Sequence, residues 1–171
     1  MKISGFGMTF AAVCLTGALV LPNTVSAGPG NSKGAHHNQA MMGGKPGKPD
    51  KVDRTVTVTL KDLSFGIKDI KVKNGETIRF VIRNGTDIAH DFTIGTKAVQ
   101  KAHQKEMLKM MDAMSKGGHG MKHADANAVF LKAGETKEII WQFAKADHLE
   151  FGCNVPGHYQ AGMKGHFSFV N

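Results

Sequence analysis

The chain is poor in arginine, in long apolar runs and, above all, in cysteine. Arginine occurs only at Arg54, Arg79 and Arg83, although lysine and arginine together number 22 and the net charge is +8. Basic charge carried by scattered lysines argues against a nucleic-acid partner and reads as a solvated surface. The only long apolar run is Phe10 to Leu21 (FAAVCLTGALVL), which is too short to span a bilayer. The cysteines are two, Cys14 inside that run and Cys153 near the other end.

The N-terminal run has its own meaning. Lys2 gives a positive start, the apolar stretch follows, and Pro22 leads to the small-residue site Val25-Ser26-Ala27. This order predicts a signal peptide over residues 1–27, export to the periplasm and a mature chain with no membrane insertion. A lipid anchor on Cys14 is disfavoured, because Val13 stands where a small residue belongs. Cleavage would leave Cys153 as the lone cysteine. A single thiol in an oxidising compartment invites oxidation or mispairing. It is therefore either buried and inert or held as a thiolate by a metal.

Residues 28–50 are rich in Gly, Pro, Asn and Lys and read as a flexible tail carrying His36, His37, Met41 and Met42. The folded domain is expected over 51–171. Val56, Val58 and Leu60 alternate with threonines, and Ile78, Phe80 and Ile82 alternate before the turn signal Asn84-Gly85. Shorter strands are expected around Ile70 and Val72, His90 to Ile94, Glu138 to Phe143, Leu149 to Cys153, and Phe167 to Phe169. Many short strands with turns between them indicate an all-β class, an antiparallel sandwich or barrel. One stretch breaks the pattern. Lys97 to Lys116 lacks Gly and Pro and places Met107, Met110, Met111 and Met114 at i, i+3, i+4 and i+7, which predicts one inserted α-helix. A loose loop through Asn127 follows.

The segment GCNVPGHYQAGMKGHFSF sets Cys153, His158 and Met163 at the spacing C-x4-H-x4-M. Cys153 ends one strand, Lys164 begins the next, and the loop between them carries the other two. A fourth ligand must come from another strand. His90 is the best candidate, because it shares the inward face with Phe92 and Ile94, and a buried imidazole needs a partner. His148 and His166 alternate out of phase with inward residues and are expected to face solvent. Thiolate and thioether are soft ligands, and with two imidazoles they suit copper in both oxidation states. Zinc accepts Cys and His but seldom a thioether. A catalytic Cys–His pair would need an activating environment and an orienting third group that the loop does not offer.

This ending resembles that of the cupredoxins, the azurin, plastocyanin and auracyanin family of blue copper proteins. The run Cys153-Asn154-Val155-Pro156-Gly157-His158 with Met163-Lys164-Gly165 is similar to azurin, while the C-x4-H-x4-M spacing is nearer auracyanin. The resemblance implies a Greek-key β-sandwich holding one type 1 copper ion, with His90, Cys153 and His158 equatorial and Met163 axial. It also implies that the edge of His158, ringed by Pro156, Gly157 and Tyr159, is the port for electrons. Two features depart from the family. Asp91 stands where many members have Asn, and a carboxylate cannot donate as an amide does. The disulfide of azurin-type members has no second cysteine here.

The expected function is that of a periplasmic one-electron carrier with a transient redox partner, a monomer and not an enzyme. The alternative is copper handling and tolerance. Met107, Met110, Met111, Met114 and Met121, with His103, His119 and His123, would then form extra weak Cu(I) capacity, against the plainer reading of helix packing. A multicopper enzyme would need paired His-x-His motifs, and the sequence has none. Asn84-Gly85-Thr86 matches a glycosylation sequon but reads better as a turn.

Overall fold

The computed structural model describes residues 39–117 and 125–171. The expected signal peptide, His36 and His37, and the loop residues His119, Met121 and His123 lie outside them.

Among the described residues, nine strands form two sheets. One holds β1 (Gly44–Pro46), β7 (Thr136–Phe143), β4 (Thr77–Asn84) and β2 (Arg54–Leu60), in that order. The other holds β3 (Asp69–Val72), β9 (Lys164–Phe169), β8 (Leu149–Gly152), β5 (His90–Thr96) and β6 (Ala128–Leu131). Period-two alternation explains the packing. Val58, Leu60, Ile78, Phe80 and Ile82 from one sheet meet Ile70, Val72, Phe92, Ile94 and Phe151 from the other in one core. Phe65, Phe92 and Phe151 pack with centroids 5.3–5.6 Å apart, Phe65 edge-on to the other two. Each such ring, fully buried, contributes about 1.5–3 kcal/mol.

The architecture is the expected sandwich, with a mixed strand pattern in place of a purely antiparallel one. β2 pairs with β4, and β3 with β9, in parallel. The reason is the crossing between sheets. β3 lies in the opposite sheet, so β4 returns beside β2 in the same direction.

The helix is α2 (Lys97–Ser115), which packs on β5 and β8. It seals the outer face of β5, so that β5 is buried on both faces along almost its whole length. Val99, Gln100, His103, Met107 and Met110 form its buried side. Met111 is half-buried and Met114 is exposed.

The tail is corrected from Gln39 onward. Residues Gln39–Met42 form a short helical turn, α1, and β1 pairs with β7 through Gly44↔Phe143 and Pro46↔Trp141. Met42 packs against the core. Glycine here serves close approach rather than flexibility. Gly44 has φ +148°, and a Cβ on it would overlap the Gln142 carbonyl. Strand β6 is an element the sequence pattern does not predict; it begins just after the expected loop ends at Asn127. Its four residues alternate poorly, with only Ala128 and Leu131 fully buried.

Candidate metal centre

The loop between β8 and β9 is a closed turn tied by its own backbone. The Cys153 amide donates to Met163 O at 3.0 Å, and Met163 N donates to His158 O at 3.0 Å. His158 N donates to Val155 O at 3.0 Å. Gly157, at φ +87°, lets the chain reverse before His158. These bonds hold the loop's three candidate ligands on one short frame. Cys153 and Met163 are fully buried within the core cluster, and His158 is half-buried at the surface.

His90 opens β5, two strands along from β9 in the same sheet, and is also fully buried. Its Nδ1 lies 3.8 Å from Cys153 Sγ, and His158 Nδ1 lies 3.3 Å from the same sulfur. The two imidazole centroids are 5.1 Å apart. One ligand atom from each of His90, Cys153 and His158 falls within 4.8 Å of the others.

A residue that the sequence reading passed over fixes the tautomer of His90. Thr86 Oγ1 donates its proton to Asn84 Oδ1 at 2.8 Å or to the Ile88 carbonyl at 3.1 Å. It therefore accepts from His90 Nε2–H, 3.0 Å away. That leaves Nδ1 without a proton and aimed at the sulfur, the arrangement a metal-binding histidine needs. Asn84 is buried and donates to Ile88 O and Lys132 O, so the sequon is a turn, as read.

Asp91 makes the tie between the two ligand segments in the reverse sense from an amide. Its carboxylate accepts from Asn154 N at 3.2 Å, Asn154 Nδ2 at 3.1 Å and Thr93 Oγ1 at 2.8 Å. Its own N–H donates to Cys153 Sγ at 3.3 Å. Gln100 on α2 completes the layer, accepting from Asn154 Nδ2 and donating to Thr93 O. The side chain at position 91 points out of the sandwich, yet α2 buries it, which the alternation of β5 alone could not reveal.

Burial governs the protonation of the cluster. It lowers His90 to about 4, with the neighbouring His158 adding to the shift. It lowers His158 as well. Both imidazoles are thus neutral near pH 7, the ligating form. Burial, and then the charge of Asp91, pushes the Cys153 thiol up to about 12. A thiol so placed is no ready nucleophile; a cation that displaces its proton would stabilise the thiolate directly.

The other candidates separate cleanly. His148 and His166 are exposed. Pro156 and Gly157 are exposed beside His158. Tyr159, expected on that rim, is instead buried, and its hydroxyl donates to Glu150 Oε2 at 2.5 Å. Burial and this carboxylate raise its pKa. Met107 and Met110 are packed on the buried side of α2, the plainer of the two readings.

The donor set fits copper: two neutral imidazole nitrogens and a thiol sulfur converge, with a buried thioether on the same loop. The comparisons agree. The profile described as "Copper binding proteins, plastocyanin/azurin family" matches residues 52–169. "Copper-resistant cuproprotein CopI" of Rubrivivax gelatinosus is 46% identical over 134 residues, covering 77% of this chain and 76% of its own. The protein of that name in Pseudomonas aeruginosa is 41% identical over 150 residues, covering 75% and 82%. Among solved structures, auracyanin B superposes with a TM-score of 0.58 at 22% identity, over 75% of this chain and 97% of its own, a likeness of fold.

Proposed function

This chain belongs to the plastocyanin/azurin family of copper-binding proteins, and on that premise we propose that it is a copper-tolerance cupredoxin that takes up copper at His90, Cys153, His158 and Met163. The observation that carries the tolerance reading is likeness at 41–46% identity, over three-quarters or more of their length, to relatives named copper-resistant. Copper bound there supplies a one-electron couple between Cu(I) and Cu(II). The residues do the rest. Thr86 presents His90 Nδ1, the Asp91 amide donates to the Cys153 sulfur, and the backbone bonds of Met163 to Cys153 and His158 fix its place in the loop. A ligand shell built into a closed core limits rearrangement between oxidation states.

A second reading, electron carriage to a transient protein partner, is favoured by one observation. His158 alone among the four reaches the surface, between the exposed Pro156 and Gly157. Both readings take the chain as exported, monomeric and without a bond-making reaction. No described helix is long and apolar enough to cross a membrane.

The test is growth of a strain lacking the gene in rising copper. Wild-type protein should restore tolerance, and Cys153→Ser should not. Equal rescue by both proteins would reject tolerance through this site. Absent rescue, with rapid one-electron exchange between the copper-loaded protein and a soluble redox protein, would favour the carrier.

A further inference from the structure

A second cluster of ligating side chains lies on the flank of the sandwich. His103, on α2, is 3% exposed. Its Nδ1 is 3.6 Å from Glu106 Oε2, one turn along the same helix, and 3.7 Å from Asp125 Oδ2. Asp125 comes from the segment before β6. That segment is anchored, since Ala128 N donates to Asp125 O at 3.0 Å and Asn127 Nδ2 donates to Ile94 O at 2.6 Å. One ligand atom from each of the three residues falls within 4.8 Å of the others.

We propose that His103, Glu106 and Asp125 form a second metal site, for a divalent first-row cation such as Zn2+. Three arguments lead there. The first is spacing. Bonds of about 2.1 Å to a tetrahedral ion put its ligands about 3.4 Å apart. The separations of 3.6 and 3.7 Å are near that value and longer than an ordinary hydrogen bond. The second is orientation. His103 Nε2 faces Asp91 Oδ1 at 3.7 Å, and Asp91 is completely buried. A metal-binding imidazole commonly turns its other nitrogen to a carboxylate, which fixes the ring and raises its basicity. The third is charge. Three carboxylates, from Asp91, Glu106 and Asp125, surround one imidazole. Their negative charge favours a cation in the pocket, and a divalent ion would displace any proton on His103 Nδ1 to bind there. The donors are nitrogen and oxygen, with no sulfur. They suit Zn2+ or Cu2+ and not Cu(I), which separates this site from a methionine-based one.

The test uses the full copper-loaded protein, titrated with Zn2+ by calorimetry and with Co2+ by visible absorption. The comparison is wild type against the double variant Glu106→Gln/Asp125→Asn. Both substituted side chains are more than 40% exposed, so the blue absorption and Tm should not change. Wild type should bind one equivalent of Zn2+ more than the variant, and its Co2+ spectrum should contain a component the variant lacks. The difference cancels any ion caught elsewhere on the chain. Identical stoichiometry, affinity and Co2+ spectra would overturn the proposal. Should the double variant fold poorly, Asp125→Asn alone decides. Zn2+ affinity falling about tenfold or more upholds the site, and unchanged affinity removes it.

Discussion

The molecule carries two histidine-centred clusters that share a wall and differ in almost everything else. At the closed end of the sandwich, His90, Cys153, His158 and Met163 combine nitrogen with sulfur, and burial there lowers both imidazoles. On the flank, His103, Glu106 and Asp125 combine nitrogen with oxygen, and carboxylates raise the imidazole. Asp91 is the wall. Its amide faces the Cys153 sulfur while its carboxylate faces His103 and Asn154. Burial alone therefore does not decide the charge of a histidine. His90 and His103 are both almost wholly enclosed, and what encloses them sets opposite signs.

Cys153→Ser should have the largest effect, and at the copper centre alone. It should abolish the intense Cys-to-copper absorption completely, because the hydroxyl stays protonated and is a hard, weak donor. The β-sheet circular dichroism of the metal-free variant should be retained, and calorimetric binding of Zn2+ at the flank should persist. A blue Cys153→Ser protein would refute the assignment of the sulfur.

Asp91→Ala strikes both clusters at once. It removes the acceptor of Thr93 Oγ1, Asn154 N and Asn154 Nδ2 and leaves His103 without its buried counter-charge. Losing one partner of such a buried pair costs about 3–5 kcal/mol. Urea unfolding of the metal-free protein should show the midpoint falling at an unchanged slope. A loss under about 1 kcal/mol would mean that water takes over the role of the carboxylate.

Thr86→Val touches only the copper side. It leaves the fold intact and frees the His90 tautomer, so copper affinity should fall about tenfold by competition with a chelator. The flank should keep its Zn2+ affinity.

The smallest effect is a pair of opposing slopes in the metal-free protein. His90 has a folded pKa of about 4 against 6.5 when unfolded, so the unfolded chain binds the extra proton in that interval. Stability from this group is complete above about 6.5 and declines as pH falls towards 4. His103 runs the other way. Its contribution is complete below 6.5 and is lost as pH rises through its raised folded value. Denaturant midpoints across pH 4 to 8 should therefore lose their alkaline-side decline in His103→Gln while keeping the acid-side one.

Much of this was legible beforehand. Alternation marked β2 and β4, and the loop from Cys153 to Met163 announced a soft ligand set, because both signals are local. What stayed hidden depends on contacts between distant segments. Asp91 sits at an outward position of β5, and only the docking of α2 makes it a buried hub. His103 and Glu106 show helical i, i+3 spacing, but Asp125 arrives from another element. Thr86 looks like a turn residue and is one; its second task is visible only once His90 is placed. The glycines at 43, 44 and 47 read as slack because composition cannot tell a flexible glycine from one that admits a close neighbour: the Gln142 backbone at Gly44, the Leu149 side chain at Gly43, and Thr77 and Ile140 at Gly47.

The pairing that these glycines permit also protects a sheet edge. Without β1, the stretch Trp141–Phe143 of β7 would present unpaired backbone groups able to pair with a strand from another molecule. β1 covers that rim, and it is a poor template in its turn, being three residues long and ending in Pro46, which has no N–H to offer. The short β1 clasp is thus a guard against edge-to-edge pairing, and trimming the chain to Lys51 should increase concentration-dependent aggregation, read by light scattering.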